Sequence, residues 1–280
     1  MKLIRFGPKG QEKPGVLIEG IRKDCSAHFQ DWDRSFFQAN GMEELQKLLR
    51  QEELPVVGQE VRWGAPIARP GTILCVGLNY SDHAKESGLE PPKEPVLFMK
   101  STNTIAGPYD TVQIPRKSEK TDWEVELGIV LKRDALYLES EAEAADCIAG
   151  YCVVNDLSER EFQLERSGQW VKGKSCPGFS PVGPWLSTAD EVEDPSDLPM
   201  KLWVNDDLRQ DGNTKTMIFS PTYVIWYVSQ FMQLEAGDLI STGTPPGVGL
   251  GMNPPTYLKP DDEVRLTIGG LGSQRQKFRE

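Results

Sequence analysis

Only two histidines occur in the 280 residues, and the five cysteines (Cys25, Cys75, Cys147, Cys152, Cys176) are odd in number with no CxxC pair. They lie mostly in apolar runs, as reduced core residues of a cytoplasmic protein do. Cys176, beside Lys174 and Ser175, is the one thiol placed to be reactive, and a bystander role is the expected reading even there. No apolar run approaches the roughly 18 residues of a membrane span. The stretch Met1-Lys-Leu-Ile-Arg-Phe-Gly-Pro8 is interrupted by Arg5 and has no signal-peptide core. Cytoplasmic location and no membrane partner are therefore expected. Positive charge is scarce: 31 Lys and Arg stand against 42 Asp and Glu, a net charge of −11. That balance argues against a nucleic-acid surface, which needs clustered cations. Internal repeats, low-complexity tracts and the EF-hand ligand pattern are also absent.

What is present begins with Thr121-Asp-Trp-Glu-Val-Glu-Leu-Gly-Ile-Val130. Glu124 and Glu126 sit two apart in a run of strand-forming residues, so their side chains share a face, roughly 7 Å apart at the Cα level. Close carboxylates on the inner face of a sheet repel one another and lose hydration, and a bound cation relieves both costs. Asp156 ends a second apolar run, Tyr151-Cys-Val-Val-Asn-Asp156, and a neighbouring strand could deliver it to the same point. Three carboxylates without a nearby His or Cys select a hard ion, Mg²⁺ or Mn²⁺, with Ca²⁺ as a substitute. On these residues alone, the solvent face of an edge strand explains Glu124 and Glu126 as well.

The chain divides into a small N-terminal α/β unit over residues 1–57, a Pro- and Gly-bearing linker at 58–71 and a large unit at 72–280. In the first, strand-like pieces at 3–6 and 16–19 precede a helix at 42–51 with apolar residues at helical spacing. In the large unit, strands are expected at 73–77, 96–99, 112–114, 124–131, 151–154, 201–204, 239–241 and 264–268. Helices fit 140–148, 159–166 and 223–232, the last apolar nearly all round, with Pro221 at its start and Gly237 at its exit. The fold class is strand-rich α+β, not a βαβ repeat. Gly168-Gln-Trp-Val-Lys-Gly-Lys174-Ser175 matches the P-loop pattern by letter. A P-loop joins a buried strand to a helix, whereas charged, helix-like residues precede this segment and Pro177 and Pro181 follow it, so the match is accidental.

Gly77-Leu-Asn-Tyr-Ser-Asp-His83-Ala-Lys-Glu86 follows a predicted strand. One helical turn would set His83 beside Glu86, an arrangement suited to a general base, although an isolated His here reads equally as a surface loop residue. The polar, proline-bearing stretch that follows, to Pro95, suits a lid or a plain loop. Taken in order, Asn-Tyr-Ser-Asp-His83, Phe-Met-Lys100-Ser, Glu124-x-Glu126, Asp156, Gly-Lys174-Ser and Ser241-Thr-Gly-Thr-Pro-Pro-Gly-Val-Gly249 resemble the fumarylacetoacetate hydrolase family from about residue 70 onward. The resemblance implies a mixed β-roll with a small N-terminal domain, a Mg²⁺ or Mn²⁺ site, and 2-keto or 2,4-diketo acid substrates. It is strongest to the acylpyruvase and 2,4-diketo-3-deoxy-sugar-acid hydrolase branch, whose relatives are sometimes labelled ureidoglycolate lyases. By motif position it makes Glu124, Glu126 and Asp156 the metal ligands. It makes His83 and Glu86 the water-activating pair and Lys174 a catalytic cation. Lys100, Gln163 and Thr244 would line the substrate site. The implied reaction is metal-dependent cleavage of a 2,4-diketo acid to pyruvate and a second acid, by a homodimer. The alternative is an isomerase, decarboxylase or lyase on the same metal site.

Overall fold

The computed structural model describes residues 1–82 and 90–280. Strand Val125–Leu131 is buried along its whole length and lies antiparallel between Ile148–Asn155 and Leu239–Ser241. A strand covered on both faces reads as a continuous apolar run instead of an alternation, and this one departs from that rule only at Glu126 and Gly128. A Cβ at position 128 would lie 2.6 Å from a Val154 methyl and 2.8 Å from Cys152 Sγ, so glycine is what lets the strands pack this closely.

Ten strands make up the large sheet. In spatial order they are Ile21–Asp24, Lys13–Ile18, Lys2–Phe6, Ser180–Thr188, Ile148–Asn155, Val125–Leu131, Leu239–Ser241, Ile73–Gly77 and Val96–Lys100, with Ile105–Ala106 alongside Ser180–Thr188. Leu239–Ser241 runs parallel to Ile73–Gly77, and Ile105–Ala106 runs parallel to Ser180–Thr188; the other pairings are antiparallel. A second sheet of five strands is ordered Asp207–Asn213, Pro199–Val204, Glu263–Ile268, Gly272–Arg279, Val112–Gln113. This is the strand-rich α+β architecture that the sequence predicts.

The period-two alternation of the central strands divides the core. Leu127, Ile129, Tyr151 and Val153 share one cluster with Leu202, Leu266 and Phe278 of the second sheet and with Val224, Ile225 and Val228 of helix Pro221–Ser229. Val130, Cys152, Val154 and Leu239 face the other way, into a cluster with Trp32, Phe36, Phe37 and Leu45 of the N-terminal region. Trp32 is fully buried there, and its indole N–H donates to the carbonyls of Ile4 (2.9 Å) and Gly15 (3.1 Å). An indole buried without a partner would lose much of its hydrophobic gain, so these two bonds make the site tolerable for tryptophan.

The longest strands that escape the sequence pattern are Ser180–Thr188, Asp207–Asn213 and Gly272–Arg279. The last alternates buried and exposed residues, but two of its buried positions are Gln274 and Gln276. The Gln274 amide donates to the carbonyls of Val153 (2.6 Å) and Gly183 (3.1 Å), and Gln276 donates to Pro108 (2.6 Å). Paired glutamines can sit inside where a hydropathy reading expects apolar side chains. The long apolar helix starts at Pro221, capped by Ser220 Oγ accepting from Tyr223 N at 3.1 Å. It stops at Ser229, three residues short of the expected end, and Gly237 serves a later turn at φ 84°. Beyond the helix the backbone bonds elsewhere: Leu234 N donates to Ala135 O at 3.0 Å.

Candidate metal-binding active site

The antiparallel register between the two central strands builds the site. Val154 lies opposite Glu126 and Asn155 opposite Val125, and one step further Asp156 N donates to Glu124 O at 2.9 Å. Glu124, Glu126 and Asp156 therefore emerge on one face, all buried, each offering a carboxylate oxygen within 4.8 Å of the others. The same face of the sheet is apolar a few residues away, at Val130 and Cys152, where the N-terminal region covers it. One sheet face thus holds a packed half and an acidic half.

Cations answer most of this charge. Lys174 Nζ donates to Glu124 Oε2 and Asp156 Oδ2, both at 2.6 Å. Lys100 Nζ donates to Asp156 Oδ1, to Phe179 O at 2.7 Å and to Leu157 O at 3.1 Å, so each of its three N–H groups has an acceptor. Arg160 bridges Asp122 Oδ2 (2.8 Å) and Glu124 Oε1 (2.7 Å) and donates to Gln163 Oε1 (3.0 Å). Burial penalises the Lys174 and Arg160 cations, but the facing carboxylates outweigh it and raise both pKa values. Burial likewise pushes the Asp156 carboxyl up, and Lys100 and Lys174 overcome this to hold it near 2.

Glu126 is the exception. It is buried and accepts from Ser241 Oγ at 2.6 Å and Gly243 N at 2.9 Å, and among the described residues no cation pairs with it. Burial, followed by the Asp156 and Glu124 charges, pushes its carboxyl up to about 8. Among the described residues, four acidic side chains (Asp122, Glu124, Glu126, Asp156) thus meet three cations (Lys100, Arg160, Lys174), and Glu126 is the one left without a cation. An oxygen-only donor set one positive partner short fits a hard divalent ion.

A cavity of about 480 Å³ opens over this cluster, lined by Glu124, Glu126, Arg160, Gln163, Lys174 and Thr244 among others. Asp156 and Lys100 are buried and outside the lining, which gives Lys100 a supporting place behind Asp156. Thr244 Oγ1 donates to Val125 O at 2.9 Å and accepts from the Gln210 amide at 2.8 Å. Its hydroxyl proton is therefore engaged within the protein, and the Gln163 carbonyl is engaged by Arg160. Trp123, Gly249 and Leu250 all donate backbone N–H groups to Asp122, at 2.8, 2.7 and 3.0 Å. Asp122 thereby ties the Gly-rich turn to the metal-site strand.

His83 and Glu86, and most of the stretch expected to form a lid, lie outside the described residues. In the P-loop look-alike, Val171–Lys174 forms a single helical turn whose lysine faces carboxylates, consistent with an accidental match. Burial, then the Glu159 charge, pushes the Cys176 thiol up to about 11, which suits a bystander. Sequence reasoning missed Arg160 and Asp122. Asp122 stands two residues before Glu124 in the very segment first singled out, and that i, i+2 spacing was the available signal. Arg160 falls in a charged helix whose face the sequence leaves unspecified.

Residues 72–279 match the family described as "Fumarylacetoacetate (FAA) hydrolase C-terminal", and the chain belongs to that family. A protein of Burkholderia multivorans with the provisional name of hydrolase is 51% identical over all of this chain and 99% of its own length. A Mycobacterium abscessus structure provisionally named a 2-hydroxyhepta-2,4-diene-1,7-dioate isomerase is 32% identical with a TM-score of 0.82, covering 100% of this chain and 98% of that one. Maleylpyruvate hydrolase from Sphingobium sp. SYK-6, solved with manganese(II) and pyruvate, is 27% identical with a TM-score of 0.80, over 100% and 99%.

Proposed function

We propose that the protein is a divalent-metal-dependent hydrolase that cleaves the C–C bond of a 2,4-diketo acid, releasing pyruvate and a second acid. The observation that carries this reading is Glu126, a buried carboxylate without a cation among the described residues, which lines the cavity with Glu124 and lies beside Asp156. The manganese and pyruvate of the maleylpyruvate hydrolase structure support it. A Mg²⁺ or Mn²⁺ ion held by Glu124, Glu126 and Asp156 supplies Lewis-acid polarisation of a 2-keto acid. Lys174 stays protonated and presents positive charge to the substrate carboxylate or to oxyanion charge as it develops. Arg160 fixes Glu124 through one arm of its fork and Gln163 through another, so ligand and cavity wall keep one geometry. Removal of a proton from water is assigned to His83 and Glu86, on the chemistry of those side chains alone.

The alternative is an isomerase on the same site, and the provisional name of the Mycobacterium abscessus neighbour supports it. Incubation of the protein and Mg²⁺ with 2,4-diketo acids, following pyruvate release, separates the two. Pyruvate formation establishes hydrolysis. Isomerised product without pyruvate establishes the alternative.

A further inference from the structure

We infer that the site accepts acylpyruvates whose acyl tail is apolar, in preference to diacids or polyhydroxylated acids; this rests on the 2-keto acid reading above. The charged lining residues Glu124, Glu126, Arg160 and Lys174 are buried, whereas the leucines at 164 and 250 of the same lining are exposed. Phe98 and Trp170 pack edge to face with ring centroids 5.2 Å apart, and Leu78, Leu164, Val248 and Leu250 also line the cavity. The arrangement is built in. A Cβ on Gly77 would stand 2.8 Å from the Trp170 ring, so the glycine is what allows the indole to lie against strand Ile73–Gly77. Leu164 and Leu250 are 45% and 38% exposed, apolar surface that a tail would cover.

Among the described residues a tail carboxylate has no matching partner in this lining. The two cations of the lining are Arg160 and Lys174, both buried and both held by carboxylates of the metal cluster. Among the described residues no other Lys or Arg lines the cavity. A charged or hydroxyl-rich tail would give up its water against leucine, valine and aromatic rings with nothing in return. An alkyl or aryl tail would gain from leaving water. In this respect the chain parts from the Mycobacterium abscessus neighbour, whose provisional name gives a dioate as substrate.

Two measurements test the inference. In the first, 2-oxohexanoate, 4-phenyl-2-oxobutanoate and 2-oxohexanedioate are titrated into the Mn²⁺-loaded protein by calorimetry. The first two bind at least about tenfold more tightly than the dioate, the discrimination expected of an apolar pocket. In Trp170→Ala the ratio of phenylbutanoate to pyruvate affinity falls by about tenfold or more. Leu250→Arg, at an exposed position that does not threaten folding, narrows or inverts the preference over the dioate. In the second, pyruvate release is compared for hexanoylpyruvate and succinylpyruvate. Apolar preference in binding without pyruvate from either compound removes the hydrolase reading and keeps the tail pocket. Equal or tighter binding of the dioate, or faster turnover of succinylpyruvate, overturns the tail pocket and leaves the hydrolase reading standing.

Discussion

Asp156 and Glu124 are joined twice: their backbones by a 2.9 Å N–H to carbonyl bond across the strand pair, and their carboxylates through one Lys174 ammonium at 2.6 Å from each. The first link is sheet register and the second is electrostatics, and each depends on the other. A slip of one residue would turn every carboxylate to the opposite face. Lys174 then holds together two negative groups that would otherwise drive the strand ends apart.

Removal of the unpaired carboxylate should separate metal binding from folding. Glu126→Gln keeps the shape and can still accept from Ser241 and Gly243, and it removes a buried carboxyl that pairs with no cation among the described residues. Metal-site groups that do not even touch the ion commonly cost 10- to 100-fold in affinity, so loss of this oxygen should weaken Mn²⁺ by about 100-fold or more. Isothermal calorimetry gives the affinity, and thermal denaturation without metal should show unchanged or raised stability. Wild-type affinity in the variant would remove Glu126 from the ligand set.

Arg160 should tolerate no substitution well. Arg160→Met leaves Asp122 and Glu124 buried without their partner, and breaking a buried pair in this way costs about 3–5 kcal/mol. Arg160→Lys keeps the charge but cannot span two carboxylates and Gln163 at once. The lysine variant should therefore fold, with its melting temperature between wild type and the methionine variant, and with turnover reduced more than stability. Full turnover in Arg160→Lys would show that the fork geometry is irrelevant to the site.

How much of this was readable beforehand depends on what each residue bonds to. Glu124, Glu126 and Asp156 were legible because i, i+2 spacing and a following apolar run are local patterns. Arg160 was not, since its meaning comes from Asp122 and Glu124, 38 and 36 positions away. The strand Gly272–Arg279 was hidden for a related reason: Gln274 reaches carbonyls more than 90 positions distant, so its burial has no local signature. Tertiary pairing decides such residues, and pattern reading sees only neighbours.

Another ion pair, Arg62 with Asp110, contributes to the acid behaviour of the fold. Arg62 grips Asp110 through Nε at 2.7 Å and Nη2 at 2.6 Å. Burial raises the Asp110 pKa, but the Arg62 hydrogen bonds and the Gly107 N–H outweigh it, and the net shift is downward. A depressed carboxyl contributes stability that is present above its unfolded pKa of about 3.9 and lost as pH falls through the lower folded value. Arg62→Met should destabilise by about 1–3 kcal/mol at pH 7 in urea unfolding. Below pH 4 the difference from wild type should narrow, leaving the part that comes from the Arg62 Nη1 bond to the Gly7 carbonyl at 3.1 Å. A difference that stays constant down to pH 3 would mean that Arg62 acts through packing alone.

The proposed reaction has two separable demands, and they fall on different residues. Polarisation of the 2-keto acid makes its C3 protons acidic, and this needs the Glu124, Glu126 and Asp156 cluster with its ion. Attack on C4 needs a water that has lost a proton, and that need alone is assigned to His83 with Glu86. His83→Ala should therefore lower pyruvate release by about 100-fold or more, the range general-base catalysis supplies. Mn²⁺ affinity should stay near wild type, because no ligand is removed. Exchange of C3 protons into deuterated water, followed by NMR, should continue above the uncatalysed background in His83→Ala and stop in Glu126→Gln. Undiminished pyruvate release from His83→Ala would assign water activation to another group. Loss of proton exchange together with cleavage would place His83 earlier in the reaction, at C3.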